Sequence, residues 1–130
     1  MKQKPEKIIY DNQKLILNKI VDFIRTILNE NVKEAYLFGS VVNGKFGKYA
    51  ENYKSHEGSD IDLIVFIKNR KVPNNWKYLN TEKTFWKLYR AGKIEINGIT
   101  HKVDALVVKN GEEEIARKSD IFKGKVLRLK

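Results

Sequence analysis

The sequence predicts a single α/β (α+β) domain over residues 1–130, a mixed β-sheet with helices packed on it. Three observations predict it. Apolar residues near the start recur at helical spacing. Two short apolar runs, Ala35–Phe38 and Asp60–Lys68, have strand length. A third β-rich stretch is split by Asn97-Gly98. At 130 residues the chain is long enough for a core, but too short to hold a catalytic module and a separate acceptor-binding domain.

Taken in order, Ile16, Ile20, Phe23/Ile24 and Ile27 form one buried stripe, so a long amphipathic helix is expected from about Glu6 to Leu28, ended near Asn29-Asn31. Ala35-Tyr36-Leu37-Phe38 reads as a strand broken by Gly39-Ser40, and Ser40 suits the N-cap of a short helix. The segment from Phe46 to Gly58 reads as a loop or irregular helix, and Asp60 to Lys68 as the strongest strand. After a turn at Pro73-Asn74-Asn75, the spacing of Tyr78, Glu82, Phe85, Trp86 and Tyr89 predicts a helix that stops at Ala91-Gly92 and lays its aromatics on the sheet. Lys93–Ile96 and Ile99–Val103 flank Asn97-Gly98, the dipeptide best suited to a type I′ hairpin turn, which places Asp104 inside a strand running to about Val108. Glu112 to Lys118, with acids first and Arg117-Lys118 last, matches the dipole preference of a short helix.

A formal charge of +10 and a pI near 9.7 imply attraction to polyanions: nucleic acid, a nucleoside triphosphate or an acidic protein. The lysines are scattered and no RNA-binding signature with interleaved aromatics appears, so a solvated basic surface stands as an equal alternative to a polyanion site, and nucleic acid is possible but not favoured. Trp76, Phe85, Trp86 and Tyr89 are expected in the core rather than as a base-stacking platform. The absence of cysteine excludes disulfides and thiolate sites, and the presence of only His56 and His101, to which no role is assigned, disfavours a His-rich zinc centre; any metal will be hard and oxygen-bound. No apolar run reaches membrane-spanning length and the Met1–Pro5 start lacks a signal-peptide stretch, so a cytoplasmic protein with no membrane association is expected.

The chemistry concentrates in Gly39-Ser40, Ser59-Asp60-Ile61-Asp62 and Asp104. Side chains alternate along a strand, so Asp60 and Asp62 share a face with Ile64 and Phe66, while Asp104 shares one with Leu106 and Val108. If the two strands are neighbours, three carboxylates converge at one end of the sheet. They would repel unless protonated or metal-bound, and Mg2+ is the natural partner. Two such ions, ~4 Å apart, suit in-line displacement at phosphorus. Gly39 lets backbone approach a phosphate, and Ser40 adds a hydroxyl and an N–H.

Leu37-Phe38-Gly39-Ser40, Gly44, Ser59-Asp60-Ile61-Asp62-Leu63 and Val103-Asp104 together resemble the minimal nucleotidyltransferases of the DNA polymerase β superfamily, over nearly the whole chain. The resemblance implies that superfamily's fold and transfer of a nucleoside monophosphate, AMP from ATP first, to an acceptor hydroxyl. It implies that Gly39 and Ser40 hold the β and γ phosphates. Asp60 and Asp62 would ligate two Mg2+ ions, with Mn2+ as a substitute. Asp104 would bind the catalytic ion and help deprotonate the acceptor. Gly44 would permit a tight turn, and Ser59 would cap or orient Asp60. Two departures stand out: the 19 residues from Val41 to Ser59 make a longer active-site loop than is usual, and Val41-Val42 replace the usual polar or basic residue after the serine. Lys45, with Lys48 and Lys54, could grip the triphosphate or an acceptor, or belong to a solvated loop. Small stand-alone members resemble antitoxins that adenylylate a tyrosine of a HEPN-type toxin, so a protein acceptor is the first expectation. The alternatives are a non-catalytic nucleotide- or protein-binding subunit, or transfer to a small molecule or an RNA end, for which homo-oligomerisation could supply the missing acceptor surface.

Overall fold

The computed structural model describes residues 5–53 and 56–130. In chain order the elements are β1 (Lys7–Ile9), α1 (Gln13–Ile27), β2 (Val32–Phe38), β3 (Gly47–Tyr53), β4 (His56–Gly58), β5 (Ile61–Ile67), β6 (Lys77–Glu82), β7 (Trp86–Ile96), β8 (Ile99–Val108), α2 (Glu113–Arg117), α3 (Asp120–Lys123) and β9 (Val126–Arg128). Six strands form one sheet in the order β6-β7-β8-β5-β2-β9, and β1-β3-β4 form a second, smaller one. Within the large sheet β5 and β8 run parallel and the other neighbours antiparallel, so the mixed-sheet α+β class expected from the sequence holds.

Alternation along the central strands divides the core in two. Ile61, Leu63 and Val65 of β5 and Val103, Ala105 and Val107 of β8 face α1, which buries Ile16, Ile20 and Ile24 against them. Each such isoleucine contributes roughly 1.5–3 kcal/mol on burial. On the other face Tyr36, Ile64, Phe66 and Val108 pack with Ala116 of α2 and with Ile121 and Phe122 of α3. Asp62 and Asp104 belong to this second face by parity, at the end of the sheet beyond the apolar cluster.

The expected hairpin at Asn97-Gly98 is present, with φ of 53° and 78° at the two residues, as a type I′ turn requires. Other expectations need correction. The helix does not reach back to Glu6: β-branched Ile8 and Ile9 favour extended backbone, and the left-handed Asn12 (φ 58°) separates β1 from α1. Ser40 does not start a helix. Its segment is a single turn closed by Val42 and Asn43 N–H on the Gly39 carbonyl, both at 3.1 Å, and by Lys45 N–H on the Ser40 carbonyl at 3.0 Å. Over the described residues, the stretch expected as a loop or irregular helix holds instead the antiparallel strands β3 and β4, with β1 paired to β3 on its other side.

The helix expected over Tyr78 to Tyr89 is instead the antiparallel pair β6–β7. Tyr78, Thr81, Phe85, Trp86 and Tyr89 are β-branched or aromatic and fit a pleated surface better than a helix. Tyr78 and Tyr89 are direct cross-strand partners with ring centroids 5.4 Å apart, a pairing that a helix cannot make. Trp76 is buried in the core, as expected.

Candidate active site

The parallel pairing of β5 with β8 sets Asp62 directly opposite Asp104. On the other side of β5, Phe38 of β2 is opposite Asp62, so the chain leaving β2 turns at Gly39 immediately beside that carboxylate. Gly39 has φ +83°, and a Cβ there would lie 3.1 Å from Asp62 Oδ2. Only glycine allows both the left-handed turn and this approach. Ser40 follows, partly buried. Val41 and Val42, at 4% and 6% exposure, plug the turn into the α1-side core, which gives the two unexpected valines a structural role. Gly44 (φ +74°) sits on the open side of the turn with nothing near its Cβ position, and Lys45 is exposed. Lys48 lies on β3, and Lys54 is outside the described residues.

Asp60 lies in the short link between β4 and β5, with its Oδ1 shielded from solvent. Ser59, expected to orient it, is buried and looks the other way: its N–H donates to the Gly47 carbonyl (2.9 Å) and its Oγ accepts from the Gly47 N–H (3.4 Å). The Ser59 carbonyl lies 2.8 Å from His101 Nδ1. A carbonyl only accepts, so this nitrogen carries the proton, while Nε2 shares a hydrogen bond with the Tyr10 hydroxyl at 2.8 Å. His101 is fully buried and stands against Gly58, where a Cβ would come within 2.2 Å of the ring. The Gln13 side chain completes this junction. It donates to the carbonyls of Tyr10 (2.6 Å) and Phe46 (2.8 Å) and accepts from Phe46 N–H (3.0 Å). Tyr10, Gln13 and His101 thus tie the small sheet to the acidic end of β5. Sequence reasoning assigned none of them a role, and no local pattern marks a contact between residues 91 positions apart.

The electrostatics of the acids are unequal. Asp62 is pushed up to about 7, first by burial and then by the neighbouring charges of Asp60 and Asp104; Lys7 of β1 pulls it partly back. Asp104 is held by Arg90 of β7, whose Nε donates to Oδ1 at 2.5 Å. Arg90 is the second group the sequence did not reveal, because its segment read as helix. Among the described residues no three His, Cys, Asp or Glu side chains are gathered closely enough to hold a metal ion as they stand. The donor chemistry nonetheless fits a hard divalent cation: oxygen ligands only, with a surplus of negative charge at Asp62 that a cation would relieve. Asp60, whose charge reaches Asp62, and Asp62 are the residues that would hold it, and Asp104 would join once released from Arg90.

Aspartates on neighbouring strands of a mixed sheet, beside a glycine turn that ends the adjacent strand, define a nucleotidyltransferase fold. The chain belongs to the family described as Polymerase beta, Nucleotidyltransferase, whose sequence profile matches residues 18–128. Every residue from Gly39 to Asp104 discussed above falls inside that match, whereas Lys7, Tyr10 and Gln13 precede it. No curated protein matches the chain. Among the described residues, no helix is long and apolar enough to cross a membrane.

Proposed function

We propose that the protein transfers a nucleoside monophosphate, AMP from ATP, to an acceptor hydroxyl, with Mg2+ as the working cation and Mn2+ as its substitute. The observation that carries this reading is the register that sets Asp62 opposite Asp104, with Gly39 against the Asp62 carboxylate. Family membership supports nucleotidyl transfer in general; the nucleotide, the metal and the acceptor are specific to this proposal. Asp60 and Asp62 hold the divalent ions, which when bound neutralise the triphosphate and the charge that develops on the attacking and leaving oxygens. The Gly39–Gly44 turn receives the β and γ phosphates, since the first N–H groups of a helical turn have no partner within it, and the Ser40 hydroxyl adds a donor. Lys45 supplies charge at the rim. The acceptor oxygen bonds to the α phosphorus as the bond to the β-phosphate oxygen breaks. The hydroxyl proton goes to an Asp104 carboxylate oxygen and pyrophosphate leaves.

The acceptor we favour is a tyrosine of a HEPN-type toxin, with the chain as its antitoxin. Incubation with radiolabelled ATP, Mg2+ and such a partner should label the partner, and the Asp60→Ala/Asp62→Ala variant should abolish the label. Label on no protein partner would remove the antitoxin reading, and label on a small molecule or RNA end would replace it. The Arg90–Asp104 pair favours a second reading, a non-catalytic binding subunit whose third acid is permanently occupied. Pyrophosphate release with any acceptor would eliminate that reading.

A further inference from the structure

Resting on the proposed nucleotidyl transfer, we infer that Arg90 is a displaceable counter-ion for Asp104, which keeps the third acid closed to a free divalent ion. A defect in the β7–β8 ladder carries this inference. From the Asn97-Gly98 turn the register runs regularly from Ile96 opposite Ile99 to Gly92 opposite Val103. Continued one step, it would set Ala91 opposite Asp104. Instead the strand bulges, Ala91 is the extra residue and turns into the core, and Arg90 takes the place opposite Asp104. A bulge re-aims the side chains beyond it. This one gives the acid a cation that an unbroken hairpin would have replaced with a methyl group.

The pair is sheltered, with side chains 29% and 13% exposed, so solvent weakens it less than a surface pair. Asp104 is freed when another cation competes with the guanidinium for it. A bare divalent ion must do so against the repulsion of Arg90. An ion that arrives with a triphosphate brings negative charge, toward which the guanidinium fork can turn. The bulge therefore makes filling of the site depend on nucleotide.

The test measures Mn2+ affinity without nucleotide, from the loss of the free-ion electron paramagnetic resonance signal, in the intact chain and in Arg90→Met and Arg90→Lys variants. Arg90→Met should bind Mn2+ about tenfold more tightly than the parent, and Arg90→Lys should stay near the parent. The gain should vanish when Asp104→Asn is added. Metal-free Arg90→Met should also melt below the parent, and saturating Mn2+ should close that gap. Unchanged or weaker Mn2+ binding in Arg90→Met, or an equal gain in the Asp104→Asn background, would overturn the inference. Nucleotidyl transfer is judged separately by pyrophosphate release from the parent protein. An Mn2+ shift without turnover would remove transfer and leave Arg90 as the counter-ion, whereas turnover without the shift would remove only the role of Arg90.

Discussion

Glu34 on β2 and Asp62 on β5 lie on the same face of the large sheet, on neighbouring strands, and both are shielded from water, yet the fold treats their charges in opposite ways. Glu34 is surrounded by donors. Its Oε1 accepts from the Tyr36 hydroxyl at 2.6 Å, both oxygens accept from Arg117, and Arg128 stands 3.8 Å away. Arg117 is itself fixed over the Phe66 ring, 4.3 Å from the centroid. The hydrogen bond from Arg117 is the main reason the Glu34 carboxyl sits below its usual range despite burial. Asp62 is pushed up to about 7, first by burial and then by the charges of Asp60 and Asp104, with Lys7 pulling the other way. A carboxylate that serves the fold is supplied with its own hydrogen-bond donors. One left with surplus negative charge is destabilising in the isolated protein, a cost that the proposed binding of a cation would offset.

The sharpest way to break this contrast is to remove each charge while keeping its shape. Asp62→Asn should lower nucleotidyl transfer by about a thousandfold or more and raise the melting temperature of the metal-free protein by about 5 °C, because a repelling carboxylate is gone. Glu34→Gln should do the reverse. Transfer is unaffected, while stability falls by about 1–3 kcal/mol as Arg117 and Tyr36 lose a charged acceptor. Solvent limits that loss, since the Arg117 side chain is 42% exposed. Calorimetric melting of both variants without metal, beside a pyrophosphate assay, checks all four outcomes. A loss of stability in Asp62→Asn would show that the acid cluster is structural after all.

The same contrast has a pH signature. Because folding depresses the Glu34 carboxyl below its ordinary value of 4.5, its contribution to stability is complete above about that pH and disappears as pH falls through the lower folded value. Urea midpoints measured downward from neutrality should therefore fall more steeply in acid for the parent than for Glu34→Gln. Added salt should narrow the difference, as the partly exposed guanidinium requires. Identical acid slopes would mean that the pair does not hold in solution.

How much of this was visible in the sequence follows from how local each feature is. The parity of Asp62, Ile64 and Phe66 is a property of one strand and was legible directly, as was the Asn97-Gly98 turn, whereas Asp60, read onto the same strand, lies in the link that precedes it. The opposition of Asp62 and Asp104 required β5 and β8 to be neighbours, which the two motifs suggested but no spacing fixed. Tyr78 to Tyr89 misled because five aromatic and polar positions satisfied helical spacing while their side chains preferred a sheet; only the partner strand decides such a case. The long stretch from Val41 to Ser59 hid two strands, β3 and β4, that pair with each other and with β1, a partner distant in sequence. Arg90 was the least legible residue of all. Even a correct hairpin register assigns Ala91 to its place, and one bulged residue changes the charge of the site.

Two glycines give the finest division between what serves the fold and what serves the site. Gly39 and Gly98 share a positive φ, +83° and +78°, so alanine at either costs about 1–2 kcal/mol of left-handed strain. They differ in what the new methyl group would meet: open space at Gly98, and Asp62 Oδ2 at 3.1 Å at Gly39. Gly98→Ala and Gly39→Ala should therefore shift the urea midpoint by similar amounts, while only Gly39→Ala disturbs the carboxylate and the turn that faces it. Measured at saturating Mg2+, nucleotidyl transfer should fall at least about tenfold in Gly39→Ala and stay near the parent rate in Gly98→Ala. Equal losses of activity would trace the effect to backbone strain carried through the sheet. A loss confined to Gly39→Ala would trace it to the contact between the turn and the aspartate, since the strain is matched by design.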